Sequence, residues 1–461
     1  MLIFPVKIRD SLPTDHPEMP AQMPPETKKK DRENPVSRIP APPMDQFNYA
    51  LSGLGDQSIR MVVSFGGTVD AARLGAALGE VMREAPVLNS RFVEGNTPCW
   101  EGLPGRVPAS FISIVPSSGS DHDLGRLLAV PVDSAAGPQI RVTILRGIGG
   151  DTLCITVHHA AMDAHGLFSC TRALAEYYRC PERRDAPFSA TSDRSLEKVL
   201  ASVQAGGIPK THMDLHPPPT GWAFPCSQSA NLTRSFAIRT LPASCLAAVK
   251  QKGKEKGATV NDVLLSAYFL ALFATIQPDG GQPLPVMVSL DLRRYRDKAQ
   301  PASLSEDLSN QSVAFPVMVA PDGICSLEAM MERVQNEMNY RKAHNPGIDS
   351  ALDLDAFGYA DFMGIQERVR AMKQEYLQYR ANPPFLANIG VIPDKTVDFS
   401  PDLPVLGAYI AGIVIDPPGI TLGVTTFKDR LTLAMGYGSP AISRESMERF
   451  MDLLVGYLPA P

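Results

Sequence analysis

The stretch His158-His159-Ala160-Ala161-Met162-Asp163-Ala164-His165-Gly166 places two adjacent histidines, an aspartate four residues after the second, and a glycine three residues beyond that. With 8 histidines in 461 residues, composition alone does not supply an adjacent pair. Imidazole, with an unperturbed pKa near about 6.5, suits general-base work at neutral pH. It does that work only when one ring nitrogen is free and the ring is held in a fixed orientation. A tight turn meets both needs when the other nitrogen donates to a nearby backbone carbonyl. Asp163 then braces the turn and does not touch substrate. Gly166 allows close backbone approach, or a positive φ, where the turn leads into a helix. Neighbouring side chains on a strand alternate, so one histidine faces the sheet interior and the other a cavity. The same divergence argues against a zinc site built on His158, His159, Asp163 and His165, and no further His or Cys cluster completes a tetrahedron. No metal is expected.

The flanking residues position this motif. Cys154-Ile155-Thr156-Val157 alternates and is β-branched, so it reads as a strand. Leu167 to Tyr178 carries apolar side chains at helical spacing. Gln139 to Leu145 and Asp151 to Val157, separated by Gly147-Ile148-Gly149-Gly150, read as a hairpin that delivers the motif to a strand end. A rigid strand followed by an accessible turn is where reactive groups are commonly placed.

The rest of the chain divides around this centre. Residues 1–40 are proline-rich, interrupted by Lys28-Lys29-Lys30-Asp31-Arg32-Glu33, and read as a mobile tail. Residues 41–215 form an N-terminal lobe with a strand at Ser58–Phe65 and a helix at Asp70–Glu84, for which Asp70 is the N-cap. Residues 216–225, HPPPTGWAFP, read as a linker. Residues 226–461 form a C-terminal lobe: a long apolar helix Val260–Thr275, a strand Val286–Leu292, three late strands at Ala408–Ile415, Ile420–Thr426 and Leu431–Tyr437, and a closing helix from Ser443. Asp193-Arg194-Ser195-Leu196 reads as a helix start.

Composition narrows the function classes. Hydrophobic residues make up 44% and charged residues 20%, as in an ordinary globular protein, and a net charge of −5 gives no reason to expect nucleic acid. Seven scattered cysteines (Cys99, Cys154, Cys170, Cys180, Cys226, Cys245, Cys325) without a CxxC pair support neither a zinc knuckle nor a disulfide framework. The apolar start Met1–Val6 is too short for a signal peptide or a membrane span. A cytoplasmic protein with reduced thiols and no membrane span is expected.

His158-His159-x-x-x-Asp163 resembles the HHxxxD signature of the acyltransferase superfamily built on the chloramphenicol acetyltransferase fold. That superfamily includes condensation domains, polyketide-associated acyltransferases and alcohol acyltransferases of secondary metabolism. Companion segments resemble it in order: Pro86–Phe92 after the first helix, Ala258–Leu264 at the start of the long helix, Ser289-Leu290-Asp291-Leu292-Arg293 as the "DLR" strand, and Asn310 and Asn388-Ile389-Gly390 as later Asn positions. Two departures stand out. Ala164 replaces the glycine that condensation domains carry after the aspartate, and the DFGWG motif of the plant branch is absent.

The resemblance implies an α/β fold of two chloramphenicol acetyltransferase-like lobes, each a mixed sheet flanked by helices, with the active-site tunnel between them. It implies His159 as general base, Asp163 as its catalytic-site partner paired with Arg293, His158 as a buried support, and Asn310 and Asn388 as substrate-binding residues. The implied reaction is acyl transfer from a thioester to a hydroxyl or amine of a small acceptor. No cofactor is bound; acyl-CoA or a phosphopantetheinyl thioester is the co-substrate. A condensation-type domain working with a separate carrier protein and a non-catalytic carrier-docking member are the alternatives left open.

Overall fold

The computed structural model describes residues 37–105, 108–181, 194–207, 221–296, 308–321, 323 and 326–460. Among them two sheets carry the architecture, and both belong to one unit, Val36–Pro461. The first has five strands in the spatial order Val405–Ala411, Ser58–Phe65, Gly150–His158, Ile140–Gly147, Ile112–Pro116. The first three pairings are antiparallel and the last is parallel.

The hairpin that ends at the motif is set by Gly150. Its φ of 137° lies outside the range of other residues, and a Cβ there would fall 2.1 Å from the Phe65 carbonyl oxygen. The turn fixes the register, Gly147 opposite Gly150 and Ser58 opposite His158, so the strand ends on the first histidine. Leu153, Ile155 and Val157 pack with Leu74, Leu78 and Val81 of helix Ala71–Glu84 and with Leu167 and Leu174 of helix Ala164–Arg179. Cys154 faces the other way, against Val62, Leu128 and Ala411. With both faces covered, the strand is apolar on both. Asp70 caps the first of these helices by accepting from Ala72 N and Arg73 N at 2.9 and 3.0 Å.

The second sheet has six strands in the order Ser312–Val319, Leu284–Asp291, Phe385–Val391, Thr421–Phe427, Arg430–Ser439, Thr233–Leu241. Phe385–Val391 is parallel to both of its neighbours, so the sheet is mixed. Helix Val260–Ile276 opens on a capping box in which Thr259 and Asp262 exchange side-chain and backbone hydrogen bonds. It is apolar nearly all round because helices Leu327–Ala343 and Arg444–Tyr457 also pack on it over the sheet's core.

Three boundaries differ from the sequence reading. Residues 1–36, including the lysine run, lie outside the described residues, but the end of the expected tail is ordered: Arg38–Pro40 pairs antiparallel with Cys99–Glu101. Of the expected linker, 216–220 lie outside the described residues. Trp222 and Phe224 are buried in the core of the second sheet, and Trp222 Nε1 donates to Pro285 O at 2.6 Å. Two large aromatics bury too much apolar surface to be left in solvent. The strand expected at 408–415 breaks into Val405–Ala411 and Val414–Ile415, which pair with Ser58–Phe65 and Gly55–Asp56. The first sheet is therefore completed by chain from beyond residue 400. The six described cysteines are free, and Cys325 lies outside the described residues. No single described helix is long and apolar enough to cross a membrane.

Candidate active site

His158 is the last residue of its strand and is buried. Ala160 N donates to its Nδ1 at 3.2 Å, so Nδ1 carries no proton and Nε2 donates to Ser52 Oγ at 3.2 Å. Burial, with a smaller push from His159, pulls its pKa to about 4. His158 is thus a neutral strut between the strand and the segment at Ser52.

His159 is the first residue of the turn and lines a large cavity. Its backbone N donates to Gln57 O at 2.7 Å. Burial holds its pKa below the ordinary imidazole range, although Asp163 and its own carbonyl pull upward. Asn310 sets the ring. Its Oδ1 accepts from Ser312 N at 2.9 Å, which turns the amide nitrogen to the histidine. Nδ2 donates to His159 O at 2.7 Å and lies 2.5 Å from Nδ1. Among the described residues Nε2 has no hydrogen-bond partner.

Asp163 is the N-cap of helix Ala164–Arg179. Its Oδ1 accepts from Gly166 N at 2.9 Å; its Oδ2 accepts from Arg293 Nη1 at 2.7 Å and Gln311 N at 2.8 Å. Burial raises its carboxyl, but the Arg293 guanidinium and the backbone donors outweigh it and hold the carboxyl below the ordinary range. Arg293 also donates to Asp291 Oδ1 at 3.1 Å and Ser309 O at 2.9 Å. Both carboxylate oxygens of Asp163 are therefore engaged in holding the turn. Of the two roles open to Gly166, positive φ is not taken: it lies within the first turn of the helix, and its N–H donates to the Asp163 cap.

The cavity holds about 890 Å³ and is walled by both sheets: Ile59 and Ile410 from the first, Met287, Phe385 and Gly423 from the second. Phe47, Leu54, Phe168 and Met372 add to a largely apolar lining, broken by polar groups that include His159, His165, Asp291, Asn388, Arg368 and Glu375. His165 Nδ1 and Asp291 Oδ2 are 3.8 Å apart at half-exposed positions. Asn388 reaches this wall at a bulge, where its Oδ1 accepts from Gly390 N and its Nδ2 donates to Asn261 Oδ1, both at 3.2 Å. Asn310, expected to bind substrate, is fully buried and meets His159, not the tunnel. No group of three or more His, Cys, Asp or Glu is arranged as metal ligands among the described residues.

Sequence reasoning passed over Arg194 and Asp45. Both are buried; Arg194 Nε donates to Asp45 Oδ2 at 2.7 Å, and the guanidinium reaches the turn after His159. Nothing in the local pattern distinguishes them from a helix start and a surface carboxylate. Charges separated by about 150 positions announce no pairing before the chain folds.

No family model matches the chain. Two uncharacterized proteins of Mycobacterium tuberculosis, from strains H37Rv and CDC 1551, are each 25% identical to it over 288 residues, 59% of this chain. The chain's match spans 64% of the length of these curated relatives. Solved structures align over nearly the whole chain. Polyketide synthase associated protein 5 of Mycobacterium tuberculosis superposes with a TM-score of 0.62 at 15% identity, covering 90% of this chain and 96% of that one. Trichothecene 15-O-acetyltransferase of Fusarium sporotrichioides gives 0.65 at 12% identity over 94% and 96%. The condensation domain of the monacolin K polyketide synthase gives 0.59 at 12% identity over 92% and 98%. The chain has the two-lobed, chloramphenicol acetyltransferase-like fold of these proteins.

Proposed function

We propose that this protein transfers an acyl group from a thioester to a hydroxyl or amine, with His159 as the general base. The observation that carries the reading is the division of labour at the turn. His159 lines a large cavity and its Nε2 has no hydrogen-bond partner among the described residues, while Asp163 is wholly engaged with Arg293 and backbone N–H groups. General-base action requires the tautomer with its proton on Nδ1, toward the residue's own carbonyl, so that Nε2 is the basic nitrogen. Nε2 takes the proton of the acceptor as its oxygen or nitrogen attacks the thioester carbonyl. The tetrahedral adduct collapses with cleavage of the C–S bond, and the thiolate leaves with the proton returned from His159. No acyl-enzyme forms, so no nucleophilic Ser or Cys is needed. Positioned general-base catalysis contributes about 10²–10⁴ in rate, and holding both substrates in one tunnel contributes the rest.

The apolar walls favour substrates with a sizeable apolar portion, since each buried methylene contributes about 0.8 kcal/mol. Acyl-CoA and a carrier-bound phosphopantetheinyl thioester present the same thioester chemistry to His159. The superposition on a polyketide synthase associated protein and a condensation domain keeps the carrier in view as donor. Purified protein is incubated with a panel of acyl-CoA thioesters and acylated carrier protein, in the presence of alcohols and amines, and released thiol is titrated. Thiol release that depends on the acceptor and vanishes in His159→Ala is the expected result. Release that is unaffected by H159A overturns the assignment.

A further inference from the structure

Arg194 precedes helix Glu197–Ala205 and lies outside every motif described above, with 5% of its side chain exposed. Each of its three nitrogens donates to a fixed partner. Nε and Nη2 grip Asp45 at 2.7 and 3.1 Å. Nη1 donates to Leu308 O at 3.0 Å. Nη2 also donates to Ala161 O at 2.6 Å and Ala160 O at 3.3 Å. Asp45 is held in turn by Trp100, whose Nε1 donates to it at 2.7 Å, and the Trp100 ring centroid lies 5.9 Å from the guanidinium carbon.

The carbonyls chosen matter more than their number. Ala160 and Ala161 directly follow His159. Leu308 is followed by Ser309 and Asn310, the residues whose carbonyl and amide engage Arg293 and His159. One planar group therefore sets the distance between the turn that carries the imidazole and the segment that orients it. Arg293 does the same work from the Asp163 end, so the contact between turn and segment is pinned at both ends. A flat fork of five N–H donors is required for this, and an ammonium cannot reach three carbonyls and a carboxylate together.

We infer that Arg194, anchored by Asp45, is a positioning residue that fixes the orientation of the His159 imidazole through the Ala160, Ala161 and Leu308 carbonyls. The inference rests on the reading of His159 as the base. A buried ion pair that served stability alone would have no reason to converge on the peptide groups on either side of the His159–Asn310 contact.

The test is Arg194→Lys, with Asp45→Asn as a second variant should the first not fold. Protein labelled with ¹⁵N-histidine is titrated by NMR, and the His159 ring signals are assigned by their loss in H159A. The expected result is a changed tautomer ratio and titration midpoint for His159, with the other histidines unmoved. In the acyl-transfer assay kcat falls by about ten- to a hundredfold, the size of effect expected for misplacement of a reacting group, while KM is unchanged. Folded variant with wild-type His159 signals overturns the inference and leaves Arg194 a stabilising residue only. The spectra do not depend on turnover. Failure of the acyl-transfer reading shows instead as wild-type protein whose thiol release H159A does not alter.

Discussion

The support under His159 and the walls of the tunnel are built on opposite principles. The support is a set of buried charges, each satisfied by fixed partners: Asp163 by Arg293, Gly166 N and Gln311 N, and Asp45 by Arg194 and Trp100. The walls are chiefly apolar side chains, including Met287, Met318 and Met372, whose side chains make no hydrogen bonds. Buried ion pairs hold one geometry and are costly to disturb, because removal of one member strands the other. Methionine is unbranched and adapts to varied shapes. The contrast teaches where this site needs rigidity and where it can change its substrate.

Five substitutions sharpen or break that comparison, from the largest effect to the smallest. His159→Ala sits where support and wall meet and should lower kcat by about 10²–10⁴ with an unchanged melting temperature. Its depressed pKa also sets the pH profile: kcat/KM should rise with pH to a plateau, with its midpoint below the ordinary imidazole value of about 6.5. A variant retaining a tenth of wild-type activity would break the assignment.

Within the support, Arg293→Ala leaves Asp163 charged and buried and should cost about 3–5 kcal/mol of stability, together with most activity. Asp163→Asn should cost less, because the amide still accepts from Gly166 N. Chemical denaturation of the two single mutants and the double mutant is the check. Losses that simply add would show that the pair does not interact.

His158 supplies a pH signature. Its folded pKa of about 4 lies below the unfolded value, so between those values the unfolded chain binds more protons. Its stabilisation is complete above about pH 6.5 and is lost as pH falls toward 4, by about 3 kcal/mol in total. Asp163 adds loss of the same sign at still lower pH, since its folded pKa is also depressed. His158→Gln should flatten the slope of stability between pH 7 and 4.5; an unchanged slope would remove His158 as its source.

The smallest effect is expected on the wall. Met287→Ala lengthens the apolar space and should leave stability within about 1 kcal/mol while shifting the preferred acyl or acceptor size. Competition between substrates of different chain length measures this. A stability loss as large as that of R293A, with no change in preference, would show the wall to be as rigid as the support.

Much of the support was legible before the fold was known, and for uneven reasons. The hairpin, the strand ending at the histidines and the helix after them follow from local alternation, glycine placement and helical spacing. The pairing of Asp163 with Arg293 is found where the resemblance to HHxxxD proteins placed it. Asn310 was expected to touch substrate and instead holds His159, because the turn and the 308–311 segment come together only across the two halves of the chain. The reach of the first sheet was misjudged in the same way. Val405–Ala411 joins Ser58–Phe65 across more than half the sequence, and a strand does not announce its partner.

The chain by itself determined the local elements, the identity of the motif and the chemical types available at the turn. These depend on interactions among residues a few positions apart, where periodicity and turn preference act directly. Only the tertiary structure decided which amide meets His159, and that Arg194 and Asp45 join the support. Those outcomes depend on burial and on hydrogen bonds between distant segments. A charged side chain looks the same in sequence whether it ends in solvent or, as Arg194 does, with each of its three nitrogens donating to a partner inside the protein.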